Sequence, residues 1–586
     1  MMASHSSSPR ALALSVVGAC LLGGLGVLAP SAAQACGGTF CDQGPQVMPV
    51  DQTGETILFW LDESQAEPFT EAHIQIAYEG DAERFAWIVP VMAAPEVLVS
   101  SQRLFDNLLN ATVPTFTLQF QTSDCIGDDS VSLCGGVSSF EGDFIGDTGF
   151  SSFGDDEVGG EEGGGGIEII DRGLAGAFEY VVLTGSTVDE VVDWLDEAGY
   201  AQDEDAPPIL QEYLDEDFLF VALKLQSGAG VDEIHPLAIR YPGTEPCIPI
   251  RLTRIAAVED MAVRALFLGD QRVASSNWPM VDLNFAALDW VGNTAASYEE
   301  LVSLAVDEAG GRAFTTEYAG TSALVNQNGI YSASWNAAAF AEIDPTLVVE
   351  QLDAQGLYEC GFDDWGEGEE ICQFTHPQVQ ALLEKYLPVP LGVDPMEFWG
   401  DLAMYADGID LDAWMASPGF SADFEERIVI PGQHGIEMLD GSSQLTRLYT
   451  RISPHEMIED PLFHETELGP VDNSYSATQI SDCNGEVPDY LELDGGRTLA
   501  LPNGVSASVP GAANARRISL APATGPEQVQ TDNAAAIDEA IEDFNREFLV
   551  GPQAGCSITS ARAEAILALL AVFGIAGLQR TRRRSR

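Results

Sequence analysis

The chain has 586 residues, of which 92 are acidic and 25 are lysine or arginine, so its formal net charge is −67. A surface this acidic repels nucleic-acid phosphates and anionic lipid headgroups, which argues against both as partners. The hydrophobic content of 46% is too high for a disordered chain, and the length allows several packed domains. We therefore expect a folded protein with a highly solvated acidic surface.

Residues 1–35 have the pattern of a secretory signal peptide. Arg10 is the only cation before an apolar run over 11–29, and a small-x-small cleavage sequence ends at Ala35. Processing is predicted after Ala35, which makes Cys36 the first residue of the mature chain. An uncleaved membrane anchor is one alternative, because the apolar run is nearly long enough to span a bilayer. Lipidation at Cys20 or Cys36 is the other, and it is less favoured because the lipobox before Cys36 is poor.

Residues 551–586 have the pattern of a C-terminal sorting or membrane-anchor segment. Cys556 precedes an apolar helical pattern over 565–578, and five arginines follow between positions 580 and 586. A positive cluster after an apolar helix holds that end in the cytoplasm. This order resembles the myxobacterial-type sorting signal, which implies processing at the cysteine. A simple membrane anchor is the alternative, and both interpretations place the body outside the cytoplasm.

The cysteines between these two segments are even in number, which predicts disulfides in an exported protein. They are Cys36, Cys41, Cys125, Cys134, Cys247, Cys360, Cys372 and Cys483. Two short loops favour local pairing of Cys125 with Cys134 and of Cys360 with Cys372. Pairing of Cys36 with Cys41 and of Cys247 with Cys483 would complete the set. A zinc clip at the first two cysteines is less favoured, because no partner C-x-x-C is present.

The first part of the body, residues 36–141, is predicted to be rich in strands. Alternating or continuously apolar, β-branched and aromatic residues predict strands at 55–62, 71–80, 84–91 and 115–121, with a helix at 100–111. Residues 142–166 are rich in glycine and acids and have no apolar period. This stretch is predicted to be a linker or loop.

Residues 167–345 and 346–550 mix the two kinds of element. Helices are predicted at 186–200, 207–214, 297–311, 376–387, 394–405 and 533–548. Strands are predicted at 179–185, 218–226, 237–243, 247–256, 261–269, 426–432 and 497–511. Because strand and helix do not alternate regularly, we expect an α+β fold with strand-rich mixed sheets, packed helices and disulfide staples.

Several segments taken together carry a family resemblance. They include "ACGGTFCDQGPQ", "EAHIQIAYEGDAERFAWIVPV", "EYVVLTGSTVDEVVDWLDEAGY" and "LTRLYTRISPHEMIEDPLF". In combination they resemble the bacterial exported domain-of-unknown-function family 2330 (DUF2330), from about Cys36 to about Phe463. The resemblance implies an exported, often surface-linked protein, and it assigns no activity, cofactor or catalytic residue.

Motifs for common chemistry are absent from the sequence. There is no G-x-S-x-G elbow, no S-x-x-K site and no phosphate-binding loop that ends in Lys-Ser/Thr. The segment "SPHEMIEDPLFHETE" carries His455 and His464, but Pro461 lies between them and no single helix face presents both. A helix start and a turn are favoured there over a zinc site.

One acidic loop is a candidate calcium site. If Cys360 and Cys372 pair, the intervening acids are crowded into a compact loop, and closely spaced carboxylates suit calcium. The candidate ligands are Asp363, Asp364, Glu367 and Glu369. The alternative is a simply solvated acidic loop, in a protein without a cofactor.

These observations favour an exported protein of the cell envelope or outer surface that acts by adhesion, scaffolding or binding rather than by catalysis. The alternative is a secreted hydrolase with carboxylate-based or calcium-dependent chemistry. A cleft lined by two close carboxylates, one of them with a raised pKa, would favour the hydrolase. The sequence indicates no particular protein or surface partner.

Overall fold

The structure is a computed structural model, and the part of the chain that it describes falls within one compact unit, residues 33–586. The described residues are 38–39, 41–42, 52–62, 68–75, 86–122, 167–185, 187–197, 200–201, 206–226, 229, 233–361, 371–414, 419–481, 489–504 and 509–548. Helices and strands are present in similar amounts, 34% and 36%, which confirms the predicted α+β class.

The described strands, numbered in chain order, belong to several sheets. They are β1 (Gly38–Thr39), β2 (Cys41–Asp42), β3 (Gln52–Asp62), β4 (Phe69–Gln75), β5 (Ala86–Val91), β6 (Glu96–Val99), β7 (Thr115–Thr122), β8 (Ile167–Ala175), β9 (Phe178–Gly185), β10 (Tyr200–Ala201), β11 (Leu219–Leu225), β12 (Leu237–Pro242), β13 (Ala257–Gly269), β14 (Arg272–Ser275), β15 (Met280–Leu283), β16 (Thr315–Thr321), β17 (Tyr358–Gly361), β18 (Ile371–Phe374), β19 (Gln444–Ile452), β20 (Phe463–Thr466), β21 (Ser474–Ser481), β22 (Tyr490–Leu493), β23 (Arg497–Ala500), β24 (Ala515–Leu520) and β25 (Gln528–Asp532).

The described α-helices are mostly short. They are α1 (Gln102–Thr112), α2 (Val188–Glu197), α3 (Ala206–Asp215), α4 (Ile250–Thr253), α5 (Thr294–Glu308), α6 (Val348–Asp353), α7 (Val379–Tyr386), α8 (Pro395–Gly400), α9 (Leu411–Trp414), α10 (Gly419–Phe424), α11 (Ile430–Gly441) and α12 (Ala534–Phe548). None of the helices in the described ranges is long and apolar enough to span a membrane. The apolar segments at the two chain ends lie outside those ranges.

A seven-stranded sheet is the centre of the fold. Its strand order is β16-β19-β13-β3-β4-β12-β6, and all neighbours are antiparallel except β13 and β3. Its strands come from residues 52–99, 237–321 and 444–452, so distant parts of the chain pair side by side. Loop closure over such separations costs entropy that only the shared core can offset.

The two faces of this sheet cover different cores. One face shares a buried apolar cluster with the five-stranded sheet β1-β5-β11-β9-β8, to which Ile57, Ile74, Val89 and Val221 belong. Helices α1 and α11 cover the other face, where Leu58, Leu104 and Met438 are buried together. Because side chains alternate along a strand, β4 sends Ala72 and Ile74 into the first core and Glu71 and His73 toward the helices.

The strand predicted at 426–432 is wrong, because this segment is helical. A π-helical turn, Glu425–Val429, joins α10 to α11. The apolar run of "ERIVIPG" has the composition of a strand, but tertiary packing decides otherwise. A Cβ on Gly432 would lie 2.2 Å from the carbonyl oxygen of Ile330, so the missing side chain lets α11 lie directly on that segment.

Other predictions of local structure have mixed outcomes. The strands predicted at 55–62, 71–80 and 84–91 correspond to β3, β4 and β5, and the helix at 100–111 corresponds to α1. The strand predicted at 247–256 is wrong, because α4 occupies its centre. The Cys360–Cys372 disulfide is present and joins β17 to β18.

Candidate metal centre

Three neighbouring strands assemble a row of charged side chains under the helices. Glu71 and His73 are two residues apart on β4, so they share one face of the sheet. Arg240 on β12 is the register partner of Glu71, and Glu96 on β6 is the register partner of Arg240. The alternation that buries Ala72 in the apolar core therefore also places these polar groups against α11.

The Glu71 carboxylate lies at the centre of the cluster. Its Oε1 is 2.6 Å from Nε2 of His434 and 2.9 Å from Nε2 of His73. Its Oε2 accepts hydrogen bonds from Arg240, with Nε and Nη2 both at 2.7 Å. The side chain of Glu71 is 0% exposed, that of His73 is 1% exposed and that of His434 is 20% exposed. The cluster is thus almost closed to solvent.

Among the described residues, one ring nitrogen of His73 has a hydrogen-bond partner and the other has none. Nδ1 lies 2.7 Å from the hydroxyl of Ser100, whose own N–H donates to the carbonyl of Pro236. Nε2 lies 2.9 Å from Oε1 of Glu71 but makes no hydrogen bond there, and this buried atom has no hydrogen-bond partner among the described residues. Ser100 therefore holds the ring with an unsatisfied nitrogen directed into the cluster.

His434 reaches the cluster from α11. It lies between Gly432 and Gly435, which face Ile330 and Leu104 at close range. Its ring packs edge-on against Trp60, with the ring centroids 5.4 Å apart. Close approach of the helix backbone is what brings this imidazole within reach of β4.

The electrostatics of the cluster favour the charged forms of Glu71 and His434. Burial disfavours ionisation of Glu71, but the hydrogen bond from His434, with the charges of both rings, holds its pKa well below the usual range. Burial also disfavours protonation of His434, yet the hydrogen bond and the charge of Glu71 outweigh it and raise the pKa of His434. Glu71 is therefore a carboxylate held between His434 and Arg240.

One carboxylate oxygen and two imidazole nitrogens make a set of metal ligands. These atoms of Glu71, His73 and His434 all lie within 4.8 Å of one another. Two histidines and one glutamate are a known ligand set for zinc, with bonds of about 2.0–2.2 Å. A tetrahedral ion with such bonds separates its ligand atoms by about 3.4 Å, so the two contacts at Oε1 would widen by about 0.5–0.8 Å.

The residues predicted as sites from the sequence lie elsewhere or outside the described ranges. The proposed calcium ligands Asp363, Asp364, Glu367 and Glu369 lie outside them, as do the processing residues Ala35, Cys36 and Cys556. Cys125, Cys134 and Cys483 also lie outside them. Cys41 lies in β2, and Cys247 forms no disulfide within the part of the chain that the structure describes.

His455 and His464 do not form a zinc site. Both ring nitrogens of His464 lie within 2.8 Å of main-chain carbonyls, those of Glu465 and Ala521. His455 lies in a short 3-10 helix, Pro454–Glu456, whose first turn is closed by a capping box between Ser453 and Glu456. The predicted helix start is thus present.

An open acidic hollow of about 890 Å³ lies beside that short helix. Its acidic lining residues are Glu259, Asp260, Glu299, Glu300, Asp307 and Glu456. Burial and the neighbouring charge of Asp260 raise the pKa of Asp307. Three of the acids have partners, because Arg451 lies 2.9 Å from Glu299, Ser303 donates to Asp260 at 2.6 Å and Glu456 caps its helix. The hollow therefore places several acids, of which Asp307 has a raised pKa, in one accessible space.

No motif in the sequence marks the residues that the fold brings together. The pattern Glu71-x-His73 inside a predicted strand is the signal that could have been used, because a period of two puts both side chains on one face. No comparable signal exists for His434, which lies 363 residues from Glu71 in the chain.

Comparison with known proteins identifies a family but no characterised relative. The model of a family described as "Uncharacterized protein conserved in bacteria (DUF2330)" matches residues 30–327. The match ends earlier than the resemblance seen in the sequence, so His434 lies beyond it. No curated protein matches this chain, and no solved structure does.

Proposed function

The chain belongs to the DUF2330 family, and we propose that it is an exported envelope protein that binds a divalent transition-metal ion without catalysing a reaction. The signal-peptide pattern of residues 1–35 and the cysteine, apolar helix and arginine order of residues 551–586 support the location. Glu71, His73 and His434 are the proposed ligands.

The observation that carries this proposal is the unsatisfied Nε2 of His73. Buried polar atoms nearly always have a hydrogen-bond partner, and leaving one unsatisfied costs about 1–3 kcal/mol. A metal ion bound at this nitrogen removes that cost. The contact between Nδ1 and Ser100 matches the usual arrangement of metal-binding histidines, in which the second ring nitrogen is held by an orienting group.

The ligand types favour an ion of the zinc class over calcium. Calcium takes six to eight oxygen ligands, whereas imidazole nitrogen suits zinc, copper, iron and nickel. Burial favours binding over catalysis, because a catalytic ion needs a position that a substrate can reach. Here the side chains of Glu71 and His73 are buried, and among the three proposed ligands only His434, at 20% exposed, is accessible to solvent.

Calorimetric titration of the metal-free full chain with zinc chloride tests the proposal. We expect about one high-affinity ion per chain, and an affinity lower by on the order of tenfold or more in His73→Gln and in His434→Gln. Gln433→Ala is the matched control, because Gln433 is exposed on the same helix next to His434. Wild-type affinity in both ligand variants, or no zinc binding by the wild type, would overturn the proposal.

The proposed location has its own test. Surface proteolysis of intact bacteria that carry this protein should digest the body of the chain. Deletion of residues 551–586 should release the body into the medium. Protection of the chain from external protease until the cells are lysed would contradict export to the surface.

The acidic hollow favours a second candidate function, a carboxylate-based hydrolase. Its specific support is Asp307, because a carboxyl group with a raised pKa near a second acidic side chain, here Asp260, is the arrangement that glycosidases use for general-acid catalysis. Release of reducing ends from a panel of oligosaccharides by the full chain would support it, provided that Asp307→Asn abolishes the release. Equal release by wild type and Asp307→Asn would exclude this chemistry at the hollow.

A further inference from the structure

We propose that the bound ion fixes helix α11 to strand β4, so that the chain beyond the family segment completes the site and depends on it. The inference rests on the proposed function of metal binding. Glu71 and His73 lie within residues 30–327, whereas His434 lies outside them. The family segment alone therefore carries two of the three ligands, and α11 supplies the third.

The position of His434 depends on the π-helical turn just before α11. An α-helix advances about 100° per residue, so the additional residue in a π turn rotates everything after it by about that angle. Without the turn Glu425–Val429, the imidazole would point away from β4. A local departure from α-helical geometry thus directs one side chain to the cluster, as π turns at functional sites commonly do.

A buried ion pair, which does not depend on a metal ion, holds the helical segment seven residues before His434. Arg427 lies 2.9 Å from the carboxylate of Glu233 and donates to the carbonyl of the same residue at 2.7 Å, and both side chains are 5% exposed. This buried pair ties the π turn to the family segment whether or not an ion is present. The ion would add a second anchor about two turns further along.

The apolar contacts of α11 are sparse near His434, so a second anchor there would add to the stability of this part of the helix. Met438 and Leu439 are buried in the cluster with Leu104, but the helix surface near His434 consists of Gly432 and Gly435. Glycines contribute no side-chain burial, so this half of the helix is held by backbone proximity, by the buried Pro431, by the hydrogen bond from Gln433 to Tyr331 and by His434. Opening of this half would break the bond between His434 and the ion.

Hydrogen exchange measured by mass spectrometry on the full chain tests the inference. When opening breaks the site, free zinc at 100 times its dissociation constant lowers the open population about 100-fold. We therefore expect amides of residues 430–441 to exchange about 100-fold more slowly with zinc, while those of α12 stay unchanged. Gln433→Ala should keep this protection and His434→Gln should lose it.

The outcomes separate the two proposals. Zinc that binds in the titration without slowing exchange in 430–441 overturns the coupling of the ion to α11 and leaves metal binding intact. Absence of zinc binding overturns both. Because the decisive comparison is wild type with and without zinc, it holds even if the His434→Gln variant folds poorly.

Discussion

Replacement of Glu55 by Gln is predicted to make the protein less sensitive to alkaline pH. Glu55 lies on β3, is 3% exposed, and has the hydroxyl of Thr253 at 3.4 Å from its carboxylate. Burial, opposed by that hydroxyl and assisted by the charge of Asp460, raises the pKa of Glu55 from 4.5 to about 7. The folded protein therefore keeps a proton on Glu55 that the unfolded chain releases near pH 4.5, and stability falls as the pH rises between these values.

The magnitude follows from the two pKa values. A shift of about 2.5 pH units corresponds to about 3.4 kcal/mol when Glu55 is fully ionised in both states. Between pH 5 and pH 8, the ionisation of Glu55 therefore lowers the free energy of unfolding of the wild type by about 2.5 kcal/mol. Gln has nearly the same shape and does not titrate, so Glu55→Gln escapes this loss.

Urea denaturation at pH 5 and pH 8 measures the effect. The difference in free energy of unfolding between Glu55→Gln and the wild type should shift by about 2.5 kcal/mol in favour of the variant from pH 5 to pH 8. Glu245→Gln is the control, because Glu245 is exposed and its substitution should give the same small difference at both pH values. A difference for Glu55→Gln that does not change with pH would refute the reasoning.

Two further substitutions test the packing and the orientation of the site. Gly432→Ala should lower the free energy of unfolding by about 1–3 kcal/mol, because its Cβ would meet the carbonyl oxygen of Ile330 at 2.2 Å. Gly400→Ala, whose Cβ meets nothing within 4 Å, should change the urea midpoint little, and equal effects of the two would argue against the close approach. Ser100→Ala should weaken zinc binding by about 10–100-fold in a titration, because the ring of His73 loses its orienting contact. Unchanged zinc affinity would show that Ser100 does not orient the ligand.

The absence of familiar motifs in the sequence does not leave the chain without chemistry. The proposed ligands are spread over a strand and a distant helix, so no short pattern contains all three. The fold also separates two kinds of polar group. Two histidines and one glutamate are enclosed between β4 and α11, whereas the open hollow beside Pro454–Glu456 has six acids in its lining, together with His455 and Arg451. Substitutions in the two regions therefore test the binding hypothesis and the hydrolytic hypothesis separately.

Local patterns predicted the elements in which neighbouring residues decide the structure. Alternation in "ETILFWLD" and "EAHIQIAYEG" predicted β3 and β4, and the short loop between Cys360 and Cys372 predicted their disulfide. Prediction failed at 426–432 because a β-branched composition is only a weak preference, which packing against Ile330 overrides. Prediction also failed at 247–256, because α4 is a single helical turn and so short a helix has little local signal in the sequence.

By itself, the sequence determined the acidic surface, the family, the α+β composition and the shared face of Glu71 and His73. These depend on composition and on the period of two along a strand, both of which are local properties. Only the tertiary structure brought His434 to that face. Its position requires a π-helical turn, glycines that permit close helix packing, and contacts between residues 363 positions apart. The energy that selects this arrangement comes from burial across the whole sheet, which no stretch of sequence contains.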